Sequence, residues 1–530
     1  MRALLGDAAP AVEEAWERAR RADWPDRLAR GDAALFGAHA EGAAPWLGWT
    51  RAPIEMRSHV DDVEALVRAA ARDGVRHALV LGMGGSSLCP EVTRCTYGAP
   101  SGIEMRVLDS TDPVAVRRAG EGVDPARALY LVASKSGTTV EPLAFMAHFL
   151  AQAEAALGAE GAAGRFVAIT DPGTPLAQEG RARGFRAVFE NPEDIGGRYS
   201  ALSLFGLVPM ALVGVPPGPV LDRADAARGR EDGMRLGVAL ATLGAAGRDK
   251  VTLLADPPLD AFGLWVEQLV AESLGKHGRG LVPVAQEPVG EPGEYGEDRV
   301  FVYHRLSGER DLDCEAVARA GHPVLVLDVR DHLDLGALYM TWELATAAAG
   351  ALLEVNPFDQ PDVQAAKDAT ARVLGAMERG DAAADARGGP EEAARLVRQA
   401  RPGDYVAVLG FVPPSPAADR AAADLRRAVR AGTGAASTFG YGPRFLHSTG
   451  QLHKGGPDSG VFVQVVSDDP EDLPVPGRPY TFGQLKQAQA LGDAQALADR
   501  GRRLARVGIG ADAPEGLRAL TRHLSGDHTG

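Results

Sequence analysis

Ala128-Leu-Tyr-Leu-Val-Ala-Ser-Lys-Ser-Gly-Thr-Thr139 is the stretch that decides the fold of this 530-residue sequence. Its apolar half, Ala128–Ala133, predicts a buried strand. Its polar half, Ser134–Thr139, predicts a loop with four hydroxyls, one glycine and one lysine. Helical periodicity then resumes in Leu143, Phe145, Met146 and Leu150. The unpaired N–H groups of such a helix and the loop hydroxyls together predict an anion-binding site. An ordinary helix cap and turn use the same residue types, so this loop alone leaves both interpretations open.

The same order of strand, loop and helix recurs along the chain. Further strands are predicted at His77–Leu81, Met105–Leu108, Phe166–Thr170, Ala187–Phe189, Lys250–Ala255, Leu281–Val284, Val300–Tyr303, Val324–Leu327, Tyr405–Phe411, Ser437–Phe439, Val461–Val466 and Ala505–Ile509. Such alternation is typical of mostly parallel sheets with helices on both faces. The polar, breaker-rich stretch Glu378–Pro390 is the best candidate for a linker. The predicted segments are a helical start (1–75), two α/β units (76–245 and 246–378), a linker with a helix (379–400) and a third α/β unit (401–530).

Composition argues against several classes of protein. Apolar residues make up 45% and charged residues 24% of the chain, which is ordinary for a globular protein. The net charge of −15 argues against a general affinity for nucleic acid or anionic membranes. No stretch reaches the length of a membrane span, and the N-terminus lacks a signal-type apolar core. The three cysteines are sparse and lack metal-binding spacing, so we expect a soluble, cytoplasmic protein.

A glycine-rich loop, Gly82-Met-Gly-Gly-Ser-Ser87, follows the first predicted strand. It is not a dinucleotide fingerprint, because the third glycine of that motif would fall on Ser87. Gly84 and Gly85 are expected to let backbone N–H groups approach a small ligand, with the Ser86 hydroxyl as a further donor. A plain tight turn is the alternative.

A third loop before a helix is Asp194-Ile-Gly-Gly-Arg-Tyr-Ser-Ala-Leu-Ser203. Its two glycines free the backbone, and Arg198 is a permanent, planar cation at the predicted helix start. Such an arginine suits the stabilisation of negative charge that develops on oxygen. A structural ion pair is the alternative for Arg198.

Together these segments resemble a known family. Gly82–Ser87, Ser134–Thr139 and Gly196–Ser200 occur in the order and approximate spacing found in the sugar isomerase domains of glucose-6-phosphate isomerase. Ala271-Glu-Ser-Leu-Gly-Lys276 is similar to the segment that carries the family's catalytic glutamate. Asn356–Lys367 is similar to its late helix-start motif, and the resemblance covers roughly residues 75–370.

The resemblance implies a fold and a set of site residues. The fold would be two doubly wound, mostly parallel αβα sandwich domains of sugar isomerase type, with a third, smaller α/β unit at the C-terminus. The implied substrate-binding residues are Gly84, Gly85, Ser86, Ser134, Lys135, Ser136, Thr138, Thr139, Gly197 and Gln360. Glu272 would be the catalytic base, Arg198 would offset charge on the enediolate, and Lys367 would help to open the sugar ring.

The resemblance also implies an assembly. The family is typically a homodimer with sites shared between subunits, and its reaction needs neither a metal nor an organic cofactor. The isomerase half of bacterial transaldolase/glucose-6-phosphate isomerase fusions is the most similar variant. We expect no transaldolase half here, because no barrel-length segment precedes the first α/β unit.

The sequence departs from the family pattern in two places. Asp362 and Gln364 stand where the late motif normally has glycine and glutamate. The family's histidine motif is missing between Glu272 and the lysine segment. The nearest similar string, His447-Ser-Thr-Gly-Gln-Leu-His-Lys-Gly-Gly456, lies in the third unit. Either His453 or His447 reaches the site from there, or ring opening is done in another way. The same two histidines make only a weak case for a metal site, since no carboxylate or cysteine pattern accompanies them.

These residues fit an aldose–ketose isomerisation. A carboxylate such as Glu272 can move a proton between adjacent carbons through an enediol, while the phosphate serves as the handle that positions them. The sequence thus predicts interconversion of glucose 6-phosphate and fructose 6-phosphate. Two alternatives stay open: an isomerase of another phosphosugar, such as mannose 6-phosphate, and a sugar-phosphate-binding regulator without catalysis.

Overall fold

A computed structural model describes residues 1–379, 381 and 385–526 of the chain. The N-terminal segment consists of short helices and one strand, with the bounds β1 Arg2–Leu4, α1 Ala9–Arg21, α2 Trp24–Ala29, α3 Ala40–Ala43, α4 Ala52–Glu55 and α5 Val60–Arg72. The expectation of a helical segment 1–75 is therefore wrong at Arg2–Leu4, which pairs antiparallel with Val324–Val326. All three side chains of β1 are exposed, so no apolar pattern marks the strand.

The first sheet is entirely parallel, in the order β3-β2-β4-β5-β6. Its elements are β2 His77–Gly82, α6 Gly85–Tyr97, β3 Glu104–Leu108, α7 Pro113–Gly120, β4 Ala128–Ala133, α8 Val140–Ala163, β5 Phe166–Thr170, α9 Pro175–Arg183 and β6 Ala187–Glu190. Every residue of β4 is buried, as expected for a central parallel strand with helices on both faces. Three helices lead on to the second sheet: α10 Leu204–Val213, α11 Pro217–Arg228 and α12 Asp232–Ala245.

The second sheet has the order β1-β10-β9-β7-β8, and only its pairing with β1 is antiparallel. Its elements are β7 Lys250–Ala255, α13 Phe262–Leu274, β8 Val282–Val284, β9 Arg299–Arg305, α14 Asp311–Arg319, β10 Val324–Asp328, α15 Leu335–Leu352 and α16 Val363–Glu378. One cluster of buried apolar residues runs through both sheets, joining Val80 and Leu131 of the first to Val251 and Val300 of the second.

The third sheet is parallel, in the order β12-β11-β13-β14. Helix α17 (Pro390–Val397) precedes it, and its elements are β11 Tyr405–Phe411, α18 Pro416–Thr433, β12 Ala436–Tyr441, α19 Gly450–Gly455, β13 Gly460–Val466, α20 Phe482–Asp499, β14 Arg503–Gly508 and α21 Ala513–Ser525. The predicted α/β class, with mostly parallel sheets and a smaller third unit, is confirmed. Part of the predicted linker, residues 380 and 382–384, lies outside the described residues. The domain boundaries stay a prediction.

The third unit packs closely on the second. Helix α20 crosses α16 at Gly492, where an added Cβ would lie 2.6 Å from Thr370 Oγ1. Side chains of the third sheet, including Tyr405 and Phe462, share a buried cluster with Ala271 of α13 and Val282 of β8. None of the helices in the described ranges combines the length and apolar composition needed to span a bilayer.

Candidate active site

The hydroxyl loop Ser134–Thr139 joins the carboxyl end of β4 to the start of α8. The Ser134 hydroxyl donates to Thr139 Oγ1 at 3.1 Å, and the Ser136 and Thr138 hydroxyls lie 2.9 Å apart. Thr139 occupies the N-cap position of α8, yet its side chain makes no capping hydrogen bond. Because Ser136 and Thr138 are exposed, this end of the helix is open to an anionic group.

Lys135 extends away from these hydroxyls. Its ammonium forms an ion pair with Asp171 and donates to the Glu193 carbonyl at 3.0 Å. It also lies 5.4 Å from the ring centroid of Trp46. Lys135 therefore ties its loop to the neighbouring loop after β5, and its charge is already matched by a carboxylate.

The glycine-rich loop after β2 brings separate segments of the site into contact. An added Cβ on Gly85 would lie 2.0 Å from the Gly197 carbonyl oxygen. Gly84 has a φ of +54°, and an added Cβ there would lie 2.8 Å from the His447 carbonyl oxygen and 2.9 Å from Gln268 Nε2. The glycines thus allow close packing against the arginine and histidine loops. Ser86 follows in the first turn of α6 and is 8% exposed.

Glu272 lies near the end of α13, with its side chain 13% exposed. Its Oε1 is 3.4 Å from Nη1 of Arg198, and its Oε2 accepts a hydrogen bond of 3.1 Å from Gln268. Gln268 precedes Glu272 by four residues, so both side chains leave the same face of the helix. The carboxylate is thus fixed from two sides.

Arg198 is 4% exposed and is held by two segments of the second unit, the end of α13 and the loop before α16. Its Nε donates to Ser273 Oγ at 2.8 Å, and its Nη1 donates to Gln360 Oε1 at 2.9 Å. Its Nη2 donates to the carbonyl oxygens of Pro357 and Asp359 at 2.8 and 3.0 Å. A permanent cation is therefore fixed beside Glu272, and Gln360 lies against it.

His447 comes from the third unit, in the turn Arg444–His447 that follows β12. Its Nε2 lies 3.0 Å from Glu141 Oε1, and its carbonyl oxygen accepts a hydrogen bond of 2.8 Å from Gln268. The Gln268 amide therefore bridges Glu272 and the His447 backbone.

Glu141, in the first turn of α8, is buried and also accepts a hydrogen bond of 2.7 Å from Gln489 of α20. Burial alone would raise the pKa of Glu141, but the neighbouring His447 outweighs it, with a smaller contribution from Lys367, and the pKa is lowered. An ionised carboxylate only accepts hydrogen bonds, so His447 is the donor in its contact with Glu141. Lys367 itself is exposed on the second turn of α16.

His453 lies elsewhere, inside the third unit. It is 2% exposed, its ring stacks edge-on against Phe462 at 5.1 Å, and its Nδ1 has no hydrogen-bond partner among the described residues. Burial, reinforced by Lys454 and Arg502, lowers the pKa of His453 well below its usual value. None of these contacts brings His453 to Glu272.

The same histidine-containing string supports the start of α16. Gln451 donates to Asp362 Oδ2 at 2.7 Å and to the Gly275 carbonyl at 3.0 Å, and accepts from the Asp362 backbone at 2.9 Å. Asp362, one of the departures from the family pattern, thus anchors the helix that carries Lys367. Gln364, the other departure, donates to Asp368 at 2.7 Å on the exposed face.

Three residues of this site were not among the sequence candidates: Glu141, Gln268 and Gln489. Glu141 follows the hydroxyl loop by two residues, and Gln268 lies one helical turn before Glu272. These short spacings from recognised motifs are the sequence features that could have identified Glu141 and Gln268. Gln489 offered no local signal, because its contact with Glu141 joins residues 348 apart.

Comparison with known proteins agrees with this geometry. Residues 51–217 match the family model "Phosphoglucose isomerase". A curated relative named glucose-6-phosphate isomerase, from Rubrobacter xylanophilus, is 29% identical over 387 residues, covering 62% of this chain and 89% of the relative. A relative of the same name from Thermus thermophilus is also 29% identical, over 385 residues, covering 62% of this chain and 90% of the relative.

Solved structures are similar as well. A hypothetical protein from Thermus thermophilus superposes with a TM-score of 0.59 at 27% identity, covering 69% of this chain and 97% of the other. A glucose-6-phosphate isomerase from Chlamydia trachomatis gives a TM-score of 0.52 at 22% identity, covering 64% of this chain and 75% of the other, and supports the fold alone. The family match over residues 51–217 and these relatives show that much of the chain is similar to phosphoglucose isomerases.

Proposed function

We propose that this protein interconverts glucose 6-phosphate and fructose 6-phosphate through a cis-enediol. One observation carries the proposal. The Gln268 amide joins the Glu272 carboxylate to the His447 turn, and the same carboxylate lies beside a fixed arginine. The relatives named glucose-6-phosphate isomerase support the choice of substrate.

In this proposal the phosphate group anchors the substrate in the site. The hydroxyls of Ser134, Ser136, Thr138 and Thr139, with the free N–H groups at the start of α8, bind its oxygens. Binding energy from this non-reacting group then positions the sugar carbons next to Glu272. Lys135 contributes through the position of the loop, because its ammonium is engaged by Asp171.

Glu272 is the proposed base. It removes the proton from C2 of the aldose and returns it to C1, and a positioned base of this kind contributes about 10²–10⁴-fold to the rate. Arg198, fixed by four hydrogen bonds, offsets the negative charge on the enediolate oxygens. Gln360 accepts one of these hydrogen bonds from the arginine.

Ring opening is assigned to His447, oriented by Glu141. The carboxylate fixes the orientation of the imidazole, which suits a group that accepts and returns a proton. Lys367 serves in the same step. The chemistry as proposed needs neither a metal nor an organic cofactor. A homodimer, expected from the resemblance, and a cytoplasmic location, expected from the sequence, complete the proposal.

A coupled assay with fructose 6-phosphate tests the proposal directly. Turnover to glucose 6-phosphate is expected, and its absence in the wild-type protein would overturn the proposed reaction and leave the other isomerase and the regulator. Mannose 6-phosphate as substrate, with formation of fructose 6-phosphate as the readout, distinguishes the other isomerase, since faster turnover of that sugar would replace the proposed substrate.

A further inference from the structure

Gln489 of α20 lies between the carboxylate of Glu141 and the loop that follows β3. Its Nε2 donates to Glu141 Oε1 at 2.7 Å, and its Oε1 accepts a hydrogen bond of 2.7 Å from the Thr111 hydroxyl. Gln489 is 3% exposed and Thr111 is fully buried, so water does not compete for either hydrogen bond. An ionised Glu141 only accepts hydrogen bonds, so the NH₂ side of the amide faces it and the carbonyl side faces Thr111. The orientation of the amide is therefore fixed from both ends.

The same oxygen of Glu141 also meets His447. Glu141 Oε1 lies 3.0 Å from His447 Nε2 and 2.7 Å from Gln489 Nε2. A rotation of the carboxylate that broke one of these contacts would therefore disturb the other. Hydrogen bonds to a charged group are the stronger ones in proteins, and a buried carboxylate that loses one is destabilised. Gln489 thus determines where Glu141 Oε1 points, and with it where the imidazole of His447 is held.

A role in joining the units does not by itself explain Gln489. Lys486, three residues earlier on the same face of α20, already ties the helix to the first unit, because its ammonium donates to Asp112 Oδ2 at 2.9 Å. Gly492, three residues later, is the point where α20 crosses α16, the helix that carries Lys367. The amide between these two anchors reaches instead the carboxylate that holds the imidazole.

We propose that Gln489 is a positioning residue for ring opening, acting on His447 through Glu141. It makes no contact with the sugar and holds the carboxylate that orients the imidazole. Thr111 is the outer member of this chain of hydrogen bonds, because its hydroxyl sets the orientation of the amide. The inference rests on the proposed function and gives the third unit a part in the reaction beyond supplying the histidine.

Exchange of the C1 protons of a ketose phosphate with D₂O, followed by proton NMR, tests the proposal. Fructose 6-phosphate must open its ring before Glu272 can act, whereas 5-deoxyfructose 6-phosphate lacks the ring-forming hydroxyl and is always open. Gln489→Met keeps the side-chain volume but removes the amide. We expect exchange of fructose 6-phosphate to fall about tenfold, as for the loss of one hydrogen bond to a charged group, and exchange of the 5-deoxy sugar to be little changed. An equal fall with both sugars, or a fall with neither, would overturn the positioning role.

Gln487→Met is the matched control. Gln487 lies on the same helix and also donates to a carboxylate, in this case Asp385 Oδ2 at 3.3 Å. We expect its loss to leave the exchange of both sugars as in the wild type.

Thr111→Val tests the outer end of the chain of hydrogen bonds. It removes the hydroxyl and keeps the shape of the side chain, so we expect a smaller fall, again confined to fructose 6-phosphate. The double variant should behave like Gln489→Met alone, because both changes act on one chain of hydrogen bonds. If circular dichroism shows that Gln489→Met does not fold, Thr111→Val alone decides, and an unchanged exchange of fructose 6-phosphate would then overturn the proposal.

The NMR signal of the His447 ring gives a readout that needs no substrate. In protein with isotopically labelled histidine, the Nε2–H signal of His447 is assigned by its loss in His447→Ala. We expect this signal to shift in Gln489→Met and to keep its position in Gln487→Met, and an unshifted signal in Gln489→Met would overturn the proposal. Absence of exchange with both sugars in the wild type would overturn the proposed isomerase activity, and the histidine signal would still decide whether Gln489 positions the imidazole.

Discussion

At the scale of single residues, the proposed base rests on how Glu272 is held. Two groups fix its carboxylate, the Arg198 guanidinium and the Gln268 amide. Glu272→Gln keeps the shape of the side chain but cannot accept the C2 proton, so we expect kcat to fall by about 10²–10⁴-fold. The measurement is steady-state turnover of fructose 6-phosphate.

Glu267→Gln provides the control for that variant. Glu267 is a buried carboxyl on the same helix, with Arg426 and Arg444 as its electrostatic neighbours. Its loss should leave kcat within a factor of a few. If Glu272→Gln behaved like Glu267→Gln, the base would have to be another group.

The two histidines lead to different expectations. His447→Ala removes the imidazole that pairs with Glu141, so we expect a fall in kcat of roughly 10²-fold or more with the closed-ring substrate. His453→Ala deletes a buried ring and should lower the free energy of unfolding by about 2–4 kcal/mol, with kcat of the folded protein little changed. Kinetics of both variants beside thermal unfolding separate the roles. Loss of turnover in His453→Ala alone would reverse the assignment.

His453 also makes stability depend on pH. Its pKa is lowered well below the ordinary value of 6.5, so below pH 6.5 the unfolded chain binds a proton that the folded chain does not. Stability from this residue is therefore complete above pH 6.5 and is lost as the pH falls, by up to about 1.4 kcal/mol per pH unit. Urea unfolding of the wild type and His453→Phe between pH 7.5 and 5 measures the effect. The difference between the two free energies should change with pH by this amount, and a constant difference would show that the ring is protonated when folded.

At the scale of elements, the sequence predicted what is continuous in the chain. Ala128–Ala133 is a strand with the predicted bounds, because a buried parallel strand is apolar at every position. Strand β1 was missed, because its side chains are exposed and its pairing with Val324–Val326 is antiparallel and far along the chain. Of the candidate site residues, the motifs indicated Glu272, Arg198 and Gln360 as one group, and the three lie together. Local sequence patterns could not predict the hydrogen-bond partner of His447, since Glu141 is 306 residues away in the chain.

Helix α16, which carries Lys367, depends on its crossing with α20. At Gly492 an added Cβ would meet Thr370 Oγ1 at 2.6 Å and the Thr370 backbone nitrogen at 2.7 Å. Gly492→Ala must push the helices apart, so we expect a loss of about 1–3 kcal/mol in the free energy of unfolding. Denaturant unfolding measures this loss of free energy.

Gly432→Ala is the control, because Gly432 of α18 has open space around its Cβ position. Alanine there should be neutral or stabilise the protein by up to about 1 kcal/mol. Equal effects of the two substitutions would contradict the close crossing.

At the scale of the whole molecule, the site depends on how the third unit is joined to the second. Glu287 is at the centre of this junction and is 6% exposed. It accepts hydrogen bonds from Arg299 at 2.8 and 3.2 Å and from the Ser437 backbone at 3.1 Å. Arg430 of α18 lies 3.9 Å away. Burial would raise the pKa of Glu287, but Arg299 outweighs it and the pKa is lowered, so the group is a carboxylate.

Glu287→Gln should therefore loosen the third unit. The substitution leaves buried arginines without their counter-charge, which typically costs about 3–5 kcal/mol. Four of the six tryptophans lie in the N-terminal segment and two in the second unit, so their fluorescence follows the part of the chain before the third unit, while far-ultraviolet circular dichroism follows the whole chain. We expect the two thermal transitions to coincide in the wild type and to separate in the variant, with the circular dichroism change beginning at the lower temperature. Turnover should fall over that same lower temperature range, because the third unit supplies His447.

Glu294→Gln is the control. The carboxylate of Glu294 also binds Arg430, but it is 40% exposed. Its loss should therefore lower the free energy of unfolding by less than about 1 kcal/mol and keep the two transitions together. Coincident transitions in Glu287→Gln would mean that apolar packing alone, in the buried cluster that includes Phe462 and Ala271, joins the units.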